Sequence, residues 1–254
     1  MWLLGTARAN LVSFSRPEDV KGGYAILSHT WLRPEEGEED TFQKSSGTSS
    51  SKFRQFLILA EKDGYDYAWV DTCCIDKTSS TELTEAINSM FRYYALSTVC
   101  YVYLADVDDF SDDFSHDLAS SRLRRCRWIT RGWTLQELLA SRALFFFSKT
   151  WTPFGSKFGL SGALKDATGI PAEVLRFETP FADMSIAARM SWASSRVTTR
   201  IEDRAYCLFG LFGINIPVLY GEGGNAFYRL LEEIMKISGD PSLFLLAVLK
   251  PVEQ

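Results

Sequence analysis

Tyr24-Ala25-Ile26-Leu27-Ser28 runs directly into His29-Thr30-Trp31. A short apolar run with no helical period reads as a strand buried on both faces. Its abrupt polar end marks a sheet edge where chemistry can sit. The same design recurs outward along the chain. Tyr67-Ala68-Trp69-Val70 is a second apolar run, closed by Asp71, and Val99-Cys100-Tyr101-Val102-Tyr103-Leu104 is a third, ending at Asp106. Leu144-Phe145-Phe146-Phe147 is a fourth. Between them the period changes to that of helices. Phe53, Phe56, Leu57 and Ala60 recur at helical spacing and Gly64 stops them. Behind the capping-box form Ser79-x-x-Glu82, an apolar stripe comprises Leu83, Ala86, Ile87, Met90, Phe91 and Tyr94. Strand–helix alternation over residues 1–150 predicts an α/β fold with a mostly parallel sheet. Ligands of such sheets bind beyond the carboxyl ends of the strands. Ser28-His29-Thr30, Asp71 and Asp106 share that edge.

The remaining third, 151–244, reads as mainly helical and packed on the sheet, giving a single domain over 1–254 with an atypical tail at 245–254. Thr199-x-x-Glu202 has a second capping-box form. Gly221-Glu222-Gly223-Gly224 leads into a last helix with Phe227, Leu230, Leu231, Ile234 and Met235 on one side. The stretch from Pro34 to Ser51 is acidic and rich in Ser and Gly, and reads as a solvated loop, as does Asp108–Asp117.

The chain has 254 residues, 46% of them hydrophobic, and a net charge of −5. That length supports a substantial core. The mild acidity argues against nucleic-acid binding, which needs a basic surface. No apolar run is long enough to span a bilayer, and Met1-Trp2-Leu3-Leu4-Gly5 does not read as a signal peptide. Five cysteines without a Cys-x-x-Cys pair, and only two histidines, His29 and His116, leave no metal site to expect. A reducing, cytoplasmic compartment fits that cysteine usage.

Arg131-Gly132-Trp133-Thr134-Leu135-Gln136-Glu137-Leu138-Leu139 carries the sharpest chemical signal. On a helix Trp133 and Glu137 share one face. A carboxylate held against an indole in a cleft is desolvated and acts strongly on a nearby positive charge. The plain alternative is a surface acid paired with Arg131 or Arg142, with Trp133 in the core. His29 with Ser28 and Asp71 invites a triad reading, but no nucleophile elbow is present; a ligand contact by Ser28, His29, Thr30 and Trp31 is the better reading. Arg204 either reaches a phosphate or joins Arg200, Glu202 and Asp203 in a salt-bridge network. Gly221–Gly224 either offers amides to an anion or makes a tight turn.

Four segments together resemble the heterokaryon-incompatibility (HET) domain of filamentous fungi: Tyr24 to Trp31, Ala68 to Asp76, Arg131 to Leu139, and Thr198 to Tyr206 continuing to Leu219–Gly223. The resemblance extends from Met1 to Phe244, after which Leu245–Lys250 departs from the family pattern. It implies a cell-death effector of fungal non-self recognition, acting with an upstream receptor or incompatibility partner protein and through homo-oligomer formation. Relatives are often larger, so a short or truncated form is expected.

HET domains in turn resemble TIR domains, which implies a flavodoxin-like (TIR-like) sheet with added C-terminal helices. Trp133-Thr134-Leu135-Gln136-Glu137-Leu138 is similar to the TIR motif, with Thr134 where that motif has cysteine. The resemblance implies that Glu137 is catalytic in cleaving the nicotinamide–ribose bond, with NAD as substrate and no resident cofactor. The competing reading is a non-enzymatic module acting by self-association or partner recruitment, and a third is an inactive copy.

Overall fold

A computed structural model describes residues 1–44, 50–109 and 116–242. Seven strands form one sheet: β1 (Trp2–Gly5), β2 (Leu11–Ser13), β3 (Ala25–His29), β4 (Tyr67–Trp69), β5 (Val99–Tyr103), β6 (Leu144–Phe147) and β7 (Pro153–Ser156). Their order is β2-β1-β4-β3-β5-β6-β7. β4, β3, β5 and β6 are mutually parallel and form the centre. These are the four strands read from the apolar runs. The sheet as a whole is mixed, because β1 and β2 add antiparallel on one side and β7 on the other. β7 also carries the sheet past residue 150.

The helices are α1 (Ser51–Lys62), α2 (Ser80–Leu96), α3 (His116–Arg125), α4 (Arg127–Thr130), α5 (Thr134–Ala140), α6 (Ser161–Thr168), α7 (Ala172–Leu175), α8 (Ile186–Ser191), α9 (Asp203–Tyr206), α10 (Phe209–Phe212) and α11 (Asn225–Ile237). α1 and α2 begin as their sequences dictate, with Ser50 accepting from the Phe53 amide and Ser79 from the Glu82 amide. The Glu82 carboxylate, however, takes the Asp76 amide instead of closing a box on Ser79.

Side chains alternate across a strand, so neighbours on β3 face opposite sides. Ser28 is in register with Val102, and Val102 with Phe146; His29 is in register with Tyr103, and Tyr103 with Phe147. The Ser28 side is covered by α2, α4 and α5, as Trp69 packs edge-on to Tyr94 and Trp128 edge-on to Phe146. The His29 side is covered by α1, with Phe53 edge-on to His29 and Phe56 edge-on to Tyr101. Trp69, Phe53, Phe56, Phe146 and Trp128 are all buried. At roughly 25 cal/mol per Å² of apolar surface, these aromatic layers dominate the core energy.

Two local readings are corrected. Thr199 and Glu202 do not form a capping box: Thr199 accepts from Arg131, and Glu202 is itself the residue before the helix, with no side-chain cap bond. The Pro34–Ser51 stretch is not wholly a solvated loop. Short 3-10 turns form at Pro34–Glu36 and Phe42–Lys44, and Asp40 is buried and accepts the Ser50 amide. Residues 45–49, 110–115 (within the acidic loop) and the tail from 243 lie outside the described residues.

Candidate active site

Glu137 projects from α5 toward the carboxyl end of β3 and is 7% exposed. Ser28 Oγ donates to Glu137 Oε2. Trp128 Nε1 donates to Ser28 Oγ at 2.7 Å. An indole nitrogen can only donate, so the serine oxygen accepts there and its own proton goes to the glutamate. The chain Trp128→Ser28→Glu137 thus has one direction. Tyr94 on α2 donates to the Leu27 carbonyl at 3.0 Å, and its hydroxyl also hydrogen-bonds the Glu137 carboxyl. Burial pushes the Glu137 pKa up to about 8, helped by the negative charge of Asp71; the hydrogen bond from Ser28, the hydrogen bond with Tyr94 and the charge of Arg196 oppose the rise. Glu137 is therefore a buried acid and not a surface partner of arginine. Arg131 bonds Thr199 at 2.8 Å and Arg142 lies over the Phe177 ring.

Thr134 ties this helix to its neighbour. Its hydroxyl donates to the Trp128 carbonyl at 2.5 Å and accepts from Arg196 Nη1 at 3.0 Å. Gly132 explains the break between α4 and α5. Its amide donates to the Val197 carbonyl at 2.9 Å, and an added Cβ would stand 2.5 Å from Thr198 Cγ2 and 3.1 Å from Cys207 Sγ. Only glycine lets the two segments approach so closely.

On the opposite side of β3, His29 Nε2 lies 3.1 Å from Asp71 Oδ1, and Trp31 Nε1 donates to Asp71 Oδ2 at 2.7 Å. His29 Nδ1 is 3.1 Å from Lys52 Nζ and 3.2 Å from the Thr30 carbonyl. An ammonium only donates, so a hydrogen bond from Lys52 needs a lone pair on Nδ1; that leaves the Thr30 carbonyl a close neighbour without a hydrogen bond and puts the proton on Nε2, where Asp71 accepts it. Lys52 also pairs with Glu39 at 2.9 Å, both largely buried. Trp31 is 46% exposed, and Lys77 Nζ lies 3.8 Å from its ring centre. Burial acts to raise the Asp71 pKa. The hydrogen bond from His29, the charge of Lys77 and the bond from Trp31 outweigh it and hold Asp71 below the ordinary carboxylate range.

Asp71 thus stabilises the fold above its unfolded pKa, and that stabilisation is lost as pH falls through its lower folded value. Asp71→Asn is expected to cost about 1.5–3 kcal/mol at neutral pH. Chemical denaturation of both proteins should show the gap closing as pH drops below about 4.

No catalytic triad forms. Ser28 donates to Glu137 while His29, on the other face, engages Asp71. Asp71 joins the two clusters only through its charge, which acts on both Glu137 and Tyr94.

The heterokaryon-incompatibility family, described as Heterokaryon incompatibility protein (HET), matches residues 24–121. The vegetative incompatibility protein HET-E-1 of Podospora anserina is 46% identical over 223 residues, covering 85% of this chain and 16% of that protein. This chain belongs to the HET family. It spans about 16% of the length of that relative. No solved structure matches it.

The family match takes in the whole Ser28–Trp31 edge, Lys52, Asp71 and Tyr94, and stops before α4. The remaining predicted residues of this HET domain fall elsewhere. Trp133 hydrogen-bonds Asp203, apart from the hydrogen-bond partners of Glu137. Arg204 is exposed on α9. Asp106 accepts the Arg127 amide at 2.8 Å at the start of α4. The amides of Gly221 and Gly223 do hold an anion, the Glu202 carboxylate, at 2.8 and 3.2 Å. Both glycines have positive φ, so the tight turn is real and its amides are already taken. Asp203 accepts from Tyr220 at 2.8 Å, and Glu222 accepts from Tyr206 at 2.7 Å and from Arg229 at 2.6 Å. The cluster beside α9 therefore holds the C-terminal helices chiefly by hydrogen bonds to tyrosines and amides.

Trp128 and Tyr94 are the site residues that sequence reasoning missed. All five cysteines are free and buried. Among the described residues no group of His, Cys, Asp and Glu could hold a metal, and no helix is long and apolar enough to cross a membrane.

Proposed function

We propose that this HET domain is the effector part of a heterokaryon-incompatibility response and that it hydrolyses an NAD-type nucleotide at the nicotinamide–ribose bond, with Glu137 as the catalytic carboxylate. The observation that carries the reading is the placement of Glu137. It is buried, fixed by Ser28, and set at the carboxyl end of β3. There the chain order of the parallel strands reverses, with β4 on one side of β3 and β5 on the other. The central order, second-first-third-fourth, supports reading the sheet as flavodoxin-like and, through the resemblance, TIR-like; ligands of flavodoxin-like sheets sit at this reversal.

The chemistry suits one acid. The C–N bond breaks and its electron pair neutralises the pyridinium, so the leaving group needs no proton. Positive charge then passes to the ribose, where an ionised Glu137 in a water-poor setting stabilises it. Water adds to the ribose carbon and releases one proton. The free acid is protonated below about pH 8. A bound cationic ring favours its ionised form, so substrate binding releases a proton from Glu137. Trp31, His29 and Asp71 line the same edge and are the ligand contacts in this reading.

The test is nicotinamide release and NAD loss in cells expressing this chain beside a Glu137→Gln control of equal abundance. A second reading, an interaction module acting by self-association or partner recruitment, is favoured by the exposed Tyr228, Met235 and Ile237 of α11. It expects cell death with unchanged NAD in both.

A further inference from the structure

Lys157 is the most deeply buried cation of the described chain, 2% exposed, and nothing in the chemistry above uses it. It directly follows β7, the antiparallel strand added beyond the parallel core. Its amide is fixed to the Leu144 carbonyl of β6 at 2.8 Å. Its ammonium donates to the Leu138 carbonyl at 2.9 Å and to the Ser141 carbonyl. The Phe177 ring lies 4.2 Å away. Both carbonyls belong to the C-terminal end of α5, where a helix leaves its last acceptors unpaired and its dipole is negative. α5 has only seven residues, and Glu137 opens its last turn, with its carbonyl accepting from the Ser141 amide.

We propose that Lys157 is the positioning residue for Glu137: its ammonium locks the final turn of α5 and so holds the carboxyl against Ser28. α4 and Thr134 fix the start of the helix, but a helix of two turns cannot keep its second turn by itself. β7 and the segment after it supply that restraint. This proposal rests on Glu137 being the acid of the site, but it concerns geometry and solvent access, so its readouts are independent of catalysis.

The experiment compares the full chain with Lys157→Met, which keeps the apolar stem, and Lys157→Arg, which keeps donors and charge. The Glu137 carboxyl titration is followed by carbon NMR, with Glu137→Gln for assignment, alongside amide exchange of residues 138–141 and global unfolding. In Lys157→Met, the Glu137 pKa is expected to fall by at least one unit, as water reaches the carboxylate. Exchange at 138–141 should accelerate at least tenfold beyond any change in global stability. Lys157→Arg should restore both. A folded Lys157→Met protein with native Glu137 titration and exchange overturns the proposal.

Should that variant not fold, the unmodified protein decides. Burial lowers the Lys157 pKa to about 7, with Cys100 and Arg142 the ionisable neighbours facing it. The Leu138 and Ser141 carbonyl resonances and the Glu137 carboxyl should then share an inflection at the lysine titration. Its absence overturns the proposal. If the chain never cleaves NAD while the Glu137 titration responds to Lys157 as stated, the positioning role stands and the hydrolase reading falls.

Discussion

Cells expressing the Glu137→Gln chain are expected to keep their NAD, while cells expressing the unaltered chain at equal abundance lose it and release nicotinamide. Removing one preorganised electrostatic group from a water-poor site lowers turnover on the order of 10³-fold. Gln is nearly isosteric, so Ser28 can still donate to the amide oxygen and the fold should persist. The pH profile sharpens the test. Glu137 must ionise to act and does so near pH 8 in the free protein. The substrate-limited rate should therefore climb as pH rises toward about 8. NAD loss that survives the substitution would remove Glu137 from the mechanism. Death with NAD unchanged in both strains would favour the interaction module.

The same substitution has a second large consequence, in stability. Burial raises the folded-state pKa of Glu137 to about 8 from an ordinary 4.5. A raised pKa contributes stability that is complete below the unfolded value and is lost as pH climbs through the folded one. The unaltered protein should thus weaken relative to Glu137→Gln between about pH 4.5 and 8, by up to about 1.4 kcal/mol per pH unit. Lys157, with its pKa lowered to about 7, works in the opposite sense at higher pH, since the folded state sheds a proton that the unfolded chain keeps. Guanidinium unfolding of the two proteins from pH 4 to 9 measures the difference directly. Parallel curves would mean that Glu137 titrates alike in the folded and unfolded states.

The parallel centre of the sheet was legible because each of its strands is a continuous apolar run set off from helical periods. The edge strands were not. β1 and β2 are only four and three residues long, and β7 contains Pro153 and Gly155, residues that argue against a strand except at an edge. The Ser28–Trp31 edge could be named from sequence because strand ends follow from topology, and Glu137 stood out by its helical spacing from Trp133 and by the resemblance of its motif. Their partition could not, because it depends on which face each side chain takes. Tyr94 reads as one more residue of an apolar stripe until its hydroxyl is placed. Trp128 lies 100 positions from the serine it holds. Lys157 sits in Gly155-Ser156-Lys157-Phe158-Gly159, which has no local pattern that marks a buried cation.

Ser28 and His29 are covalent neighbours with separate partners across the sheet, α4 and α5 for one and α1 and Asp71 for the other. Thermodynamic coupling should therefore ignore chain proximity. Double-mutant cycles are expected to give an interaction energy of about 0.5 kcal/mol or less for Ser28 with His29, but well above that for Ser28 with Trp128. Mutational tolerance at these two adjacent codons would then be set by different halves of the protein, and changes at one would carry little information about the other.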